Sequence, residues 1–186
     1  CSTGGSTGIG RGIALRFASE GAKVAIFDLS EKQLEGNFDG EILTTSEAIR
    51  KVRWCSKRED AALTSGTQAG GEAEFYSVDS TADRSLTTAA MASVVSHWGK
   101  VDIFVPCAGV YCPVRALAPH SASQADARLR QLVPFHEQTL ETLDRCYSIQ
   151  TRGSYMGSQE AVKVMLKQAS GGSIVQLVST DRKSVV

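Results

Sequence analysis

The run Thr3-Gly4-Gly5-Ser6-Thr7-Gly8-Ile9-Gly10 leads straight into Arg11-Gly12-Ile13-Ala14-Leu15-Arg16-Phe17-Ala18. A glycine-rich turn that opens a helix constrains this chain more than any other feature. The glycines let the backbone turn tightly and approach a ligand, while the free N–H groups and positive dipole end of the helix favour negative charge. A glycine cluster by itself also fits a tight turn or a close packing contact. Here the context decides. Ile9, Ile13, Leu15, Phe17 and Ala18 form an apolar face at near-helical spacing, Ser19-Glu20-Gly21 closes the helix, and Ala22 to Phe27 reads as a buried strand. Turn, helix and strand make the first unit of a doubly wound parallel α/β sheet with helices on both faces.

Asp28 falls where that second strand ends. An acidic side chain there accepts hydrogen bonds from the adenosine ribose of a dinucleotide, and its charge repels a 2′-phosphate. Neither Thr7 nor Leu29, its near neighbours in this reading, supplies a compensating cation. The pattern points to NAD, with NADP less favoured. The same Asp also suits a helix cap ahead of Leu29-Ser30-Glu31-Lys32.

These residues resemble the TGxxxGIG motif of the short-chain dehydrogenase/reductases, a Rossmann-type family, and three further segments resemble that family in the right order. Ser77-Val78-Asp79-Ser80 is similar to its third-strand end, Val101 to Gly109 to its VDxxVNNAG strand, and Gly172 to Ser179 to the strand that delivers its catalytic serine. The resemblance implies a cofactor site of Gly4, Ser6, Thr7, Gly8, Ile9 and Gly10 on the pyrophosphate and Asp28 with Leu29 at the adenosine ribose. It adds Asp79 and Ser80 at the adenine, and Cys107, Ala108 and Gly109 beside the nicotinamide ribose. Ser179 would bond the substrate oxygen, and Gln150 falls where the family has a catalytic asparagine.

Departures from the family pattern are as informative. Pro106-Cys107 stands where the family has Asn-Asn, and Pro106 removes a backbone donor from an expected central strand. The family's chemistry uses a Tyr that transfers a proton and a Lys four residues later that lowers the phenol pKa. No such pair exists here: Tyr76 is followed by Ser80, Tyr111 by Arg115, Tyr147 by Thr151 and Tyr155 by Gln159. By the family spacing the pair belongs beyond Ser179, and only Cys1-Ser2 precede Thr3, where a central first strand is expected. The chain therefore reads as a fragment whose sheet is incomplete at both ends, inactive by itself.

Composition sets outer bounds. A chain of 186 residues with 42% hydrophobic content can bury the core of one domain. Twenty basic and twenty acidic side chains argue against a nucleic-acid or membrane-surface partner. Five scattered cysteines with no C-x-x-C pair fit a reduced, cytoplasmic setting, with packing roles favoured over a reactive thiol at Cys107 or Cys112. His97, His120 and His136 are too dispersed for a metal site.

Between the motifs, 37–71 is longer than a helix-to-strand connection requires and reads as an insertion or flexible loop, with a short helix near Ser46 to Trp54. Asp83 to Trp98 reads as a helix with Leu86, Ala89, Ala90, Ser93, Val94 and His97 recurring along it, closed by Gly99-Lys100. Tyr111 to Phe135 is a long loop over the strand ends. Gln138 to Ala169 is a long helix interrupted near Gly153, with Leu140, Leu143, Tyr147, Gln150, Ser154 and Met156 or Gly157 on one side. The resemblance implies homo-oligomerisation through this helix.

The expected protein is thus an oxidoreductase moving a hydride between NAD(H) and a small-molecule alcohol or ketone. The alternative is a non-catalytic nucleotide-binding or interaction module of the same fold, which the missing Tyr and Lys favour. A methyltransferase-like protein fits the ordered motifs less well.

Overall fold

The computed structural model describes residues 1–32, 43–51, 71–110, 114–115 and 133–178. Strands β1 (Ser2–Thr3), β2 (Val24–Asp28), β3 (Ala73–Ser77), β4 (Ile103–Pro106) and β7 (Ser173–Ile174) form one parallel sheet in the order β3-β2-β1-β4-β7. A second, two-stranded pairing joins β5 (Val114–Arg115) to β6 (Val133–Pro134). Helices α1 (Gly8–Ser19), α2 (Thr45–Lys51), α3 (Arg84–Trp98), α4 (Leu140–Cys146) and α5 (Ser154–Met165) complete the architecture. This is the doubly wound sheet expected from the sequence.

Strand alternation builds a core on each face. Val24, Ile26 and Ala73 pack with Ala14 and Ala18 of α1 and Ile49 of α2, while Ala25, Phe27 and Phe104 pack with Met91 and Val94 of α3 and Ala161 and Met165 of α5. The seam of α1 is made of small residues, Gly10, Ala14 and Ala18, so the helix sits close to the sheet, and Ile9 of the expected apolar face is 69% exposed. On α3 the buried stripe is Thr87, Ala90, Met91 and Val94. Leu86 is exposed, so the inward face lies one residue from the expected one. Asp83 caps this helix by accepting from the Ser85 amide, and Gly99 ends it at a φ of +84°.

Two expectations need correction, while the central first strand is two residues long: Ser2 and Thr3 lie between β2 and β4, in register with Ile26 and Phe27 on one side and Val105 and Pro106 on the other. Ahead of them lies a cavity of about 320 Å³ lined by Val24, Ala25, Val94, Trp98, Val101 and Ile103, among others. The Cys1 nitrogen donates to the Ile103 carbonyl at 2.7 Å.

Within 37–71, residues 43–51 are no projecting loop. Thr45, Ser46, Ala48 and Ile49 are buried, and α2 packs on α1 and β3. Thr44 and Glu47 form a reciprocal capping box: the Thr44 amide donates to Glu47 Oε2 at 3.0 Å and the Glu47 amide to Thr44 Oγ1 at 3.3 Å. Residues 52–70 lie outside the described ones.

The long helix is interrupted by a π-helical stretch, Tyr147–Gly153. Each π turn takes up an extra residue, so the helix face rotates across it. Leu140, Leu143 and Tyr147 therefore face solvent, whereas Met156 and Gly157 face the sheet, where a Cβ on Gly157 would lie 2.8 Å from the Phe104 ring. These residues do not share one face.

Candidate functional site

The strand order reverses between β1 and β4, and in open α/β sheets ligands bind at the carboxyl ends of the strands at such a switch point. The glycine turn and the β4 end meet there. Gly4 has a φ of +64°, and a Cβ on it would lie 2.8 Å from Ala108 Cα. A Cβ on Gly10 would overlap the Gly4 carbonyl, so helix α1 can start this close only with glycine at that position. Thr3 Oγ1 accepts from the Cys107 amide at 2.9 Å and the Ala108 amide at 3.1 Å, fixing β4 to the turn. Thr3 opens the TGxxxGIG pattern, but the pattern alone assigned it no site role.

Pro106 is accommodated because it ends β4. Phe104 accepts from the Val175 amide on the β7 side, while the Val105 amide donates to Cys1 on the other. By that alternation the missing Pro106 donor faces past the end of β7, where the described ladder makes no demand on it.

Asp28 holds the turn. Its Oδ2 accepts from the Ser6 amide at 3.0 Å and its Oδ1 from the Leu29 amide at 2.8 Å. It thus closes β2 against the glycine turn; Leu29 and Ile9 are exposed beside this edge at 67% and 69%. Asp79 turns one oxygen inward. Its Oδ1 accepts from the Thr81 hydroxyl and amide, both at 2.7 Å, and these bonds hold its carboxyl below the usual range. Ser80 lies against Gly153, where a Cβ would meet the Ser80 carbonyl at 2.9 Å.

The turn fits a diphosphate. Ser6 Oγ is buried and has no hydrogen-bond partner among the described residues, and the Thr7 side chain makes no cap bond to α1. First-turn amides of a helix lack intrahelical partners, so the loop presents donors without a protein acceptor.

The chemistry half is less complete. Gln150 Nε2, on the π-helical stretch, donates to the Val110 carbonyl at 2.6 Å, and Gly109 lies beside its side chain. Ser179 lies outside the described residues. The strand expected over 172–179 is regular only at Ser173–Ile174, and Val175, Leu177 and Val178 after it are exposed. Tyr76 is half-buried and donates to Glu74 Oε2 at 2.6 Å, and burial pushes its phenol pKa up, opposite to what a proton donor needs. Burial likewise raises the Cys107 thiol. Cys146 is disulfide-bonded, which departs from an all-thiol set. Among the described residues no group of three or more His, Cys, Asp or Glu could hold a metal ion, and no helix is long and apolar enough to cross a membrane.

The chain matches the short chain dehydrogenase family model over residues 43–184 and belongs to that family. It is 28% identical over 177 residues to an uncharacterized oxidoreductase of Bacillus subtilis, covering 95% of this chain and 48% of that protein. A sorbitol dehydrogenase of Cereibacter sphaeroides is 25% identical over 177 residues, covering 95% of this chain and 50% of that one. Among solved structures, a short chain dehydrogenase of Mycobacterium thermoresistibile superposes with a TM-score of 0.67 at 27% identity, covering 98% of this chain and 51% of that one. The chain spans about half the length of the curated relatives it matches.

Proposed function

We propose that this chain supplies the nucleotide-binding part of an oxidoreductase that moves a hydride between NAD(H) and a small-molecule alcohol or ketone. The observation that carries the reading is the Asp28 carboxylate on the Ser6 amide, which puts negative charge beside a loop whose buried Ser6 hydroxyl has no partner among the described residues. A ribose with free hydroxyls can bond that carboxylate, while a 2′-phosphate is repelled by it.

Gly4, Ser6, Thr7, Gly8, Ile9 and Gly10 would hold the diphosphate, Asp28 and Leu29 the adenosine ribose, Asp79 and Ser80 the adenine, and Cys107, Ala108 and Gly109 the nicotinamide side. When bound, the nicotinamide would accept or donate the hydride. Ser179 would bond the substrate oxygen, and Gln150, whose amide is turned to Val110, would hold the nicotinamide-side backbone in place.

Relatives named as a sorbitol dehydrogenase and a levodione reductase are consistent with alcohol and ketone substrates. The outward stripe of Leu140, Leu143, Tyr147, Tyr155 and Leu166 would pair with a second copy.

A second reading is a nucleotide-binding module of the same fold without chemistry. Both readings predict saturable NADH binding by the purified chain. Cofactor reduction with NAD and a panel of alcohols would overturn the module reading, and NADPH binding tighter than NADH would overturn the assignment of Asp28.

A further inference from the structure

Helix α2 reaches back onto the glycine turn through a buried polar contact that neither motif nor resemblance assigned. Thr45 is 1% exposed, and its hydroxyl donates to the Gly5 carbonyl at 2.9 Å and the Ser6 carbonyl at 3.2 Å. Its oxygen accepts from Arg11 Nη1 at 3.1 Å, and the same nitrogen donates to the Leu43 carbonyl at 3.3 Å. Arg11 is itself buried and lies on α1, directly after the turn.

The peptide bonds among the described residues are trans, so each carbonyl points opposite to the N–H of the next residue. Holding the Gly5 carbonyl inward aims the Ser6 amide at Asp28, which is where it is found. Holding the Ser6 carbonyl inward aims the Thr7 amide away from Thr45, and that amide makes no hydrogen bond among the described residues.

We infer that Thr45 is a positioning residue for the diphosphate: its hydroxyl, oriented by Arg11, sets the peptide planes that aim the Ser6 amide at Asp28 and leave the Thr7 amide for an anion. The inference rests on the nucleotide-binding reading above. A residue with this role acts on diphosphate affinity more than on adenosine affinity, because it touches the loop directly and reaches Asp28 only through the Ser6 amide.

The test compares Thr45→Val, which keeps the shape and removes the hydroxyl, with Thr45→Ser, which keeps it. Calorimetric titration of the chain with NADH, ADP and adenosine should show Thr45→Val weakening NADH and ADP at least tenfold, adenosine by no more than threefold, and Thr45→Ser close to wild type. Unchanged ADP binding in a Thr45→Val protein, with wild-type NADH binding intact, overturns the inference and leaves the nucleotide reading standing. Equal losses for ADP and adenosine also overturn it, as a merely structural contact. A wild-type chain that binds none of the three overturns both.

Should Thr45→Val not fold, amide hydrogen exchange on the wild type carries the test. ADP should protect the Thr7 amide and leave the already bonded Ser6 amide unchanged, and the reverse order contradicts the inference.

Discussion

Two ends of the same sheet edge are built differently. The glycine turn between β1 and α1 is held from three directions: Thr45 below its carbonyls, Asp28 at the Ser6 amide, and Ala108 against Gly4. Beyond β4, the β7 end carries exposed Val175, Leu177 and Val178, and the one catalytic candidate described there, Gln150, is tied to a backbone carbonyl. The glycine turn is fixed by several side-chain and backbone contacts, the far end by one amide. On the reading proposed above, nucleotide affinity should therefore depend on the turn and little on the β7 end.

The sharpest way to break that contrast is Gly10→Ala. The added Cβ overlaps the Gly4 carbonyl, so the turn must open; we expect NADH binding to be abolished and unfolding free energy to fall by about 3 kcal/mol, read by calorimetry and denaturant titration. Retained binding would show that the turn is not the seat.

Next in size is Asp28→Ser. Losing a charge-assisted bond to the Ser6 amide costs about 1.5–3 kcal/mol, and removing the repulsion should invert the preference toward NADPH. An unchanged NADH-to-NADPH ratio would remove Asp28 from the site.

The smallest expected effect is Gln150→Leu, which removes the bond to Val110 and should cost about 1 kcal/mol of stability while leaving ADP affinity unchanged. Weakened ADP binding would mean that the two halves are coupled.

What could be read from the sequence follows the same division. Gly10 and Asp28 were legible because their demands are local: a backbone contact that admits no Cβ, and a carboxylate at a strand end. Thr45 was not, because its contact spans about forty residues of chain and the segment holding it resembled an insertion. The Thr44-x-x-Glu47 capping pattern was a readable signal for α2, since it needs only four residues in order. Facing on the long helix failed for a different reason. Constant 3.6-residue periodicity carried Leu140 and Met156 onto one side, and the π-helical stretch between them turned the faces apart. On α3 the inward Thr87 and outward Leu86 show hydropathy losing to the geometry of the seam with α5, where buried Glu160 takes bonds from Lys163 and Thr88.

The central claim is that the glycine turn and Asp28 together seat a nicotinamide dinucleotide, and a crystal structure of this chain grown with NADH tests it most directly. The account predicts the diphosphate against the amides of residues 6–10 and an adenosine ribose hydroxyl within hydrogen-bond distance of Asp28. A nucleotide bound elsewhere, or a ribose turned away from that carboxylate, would contradict it.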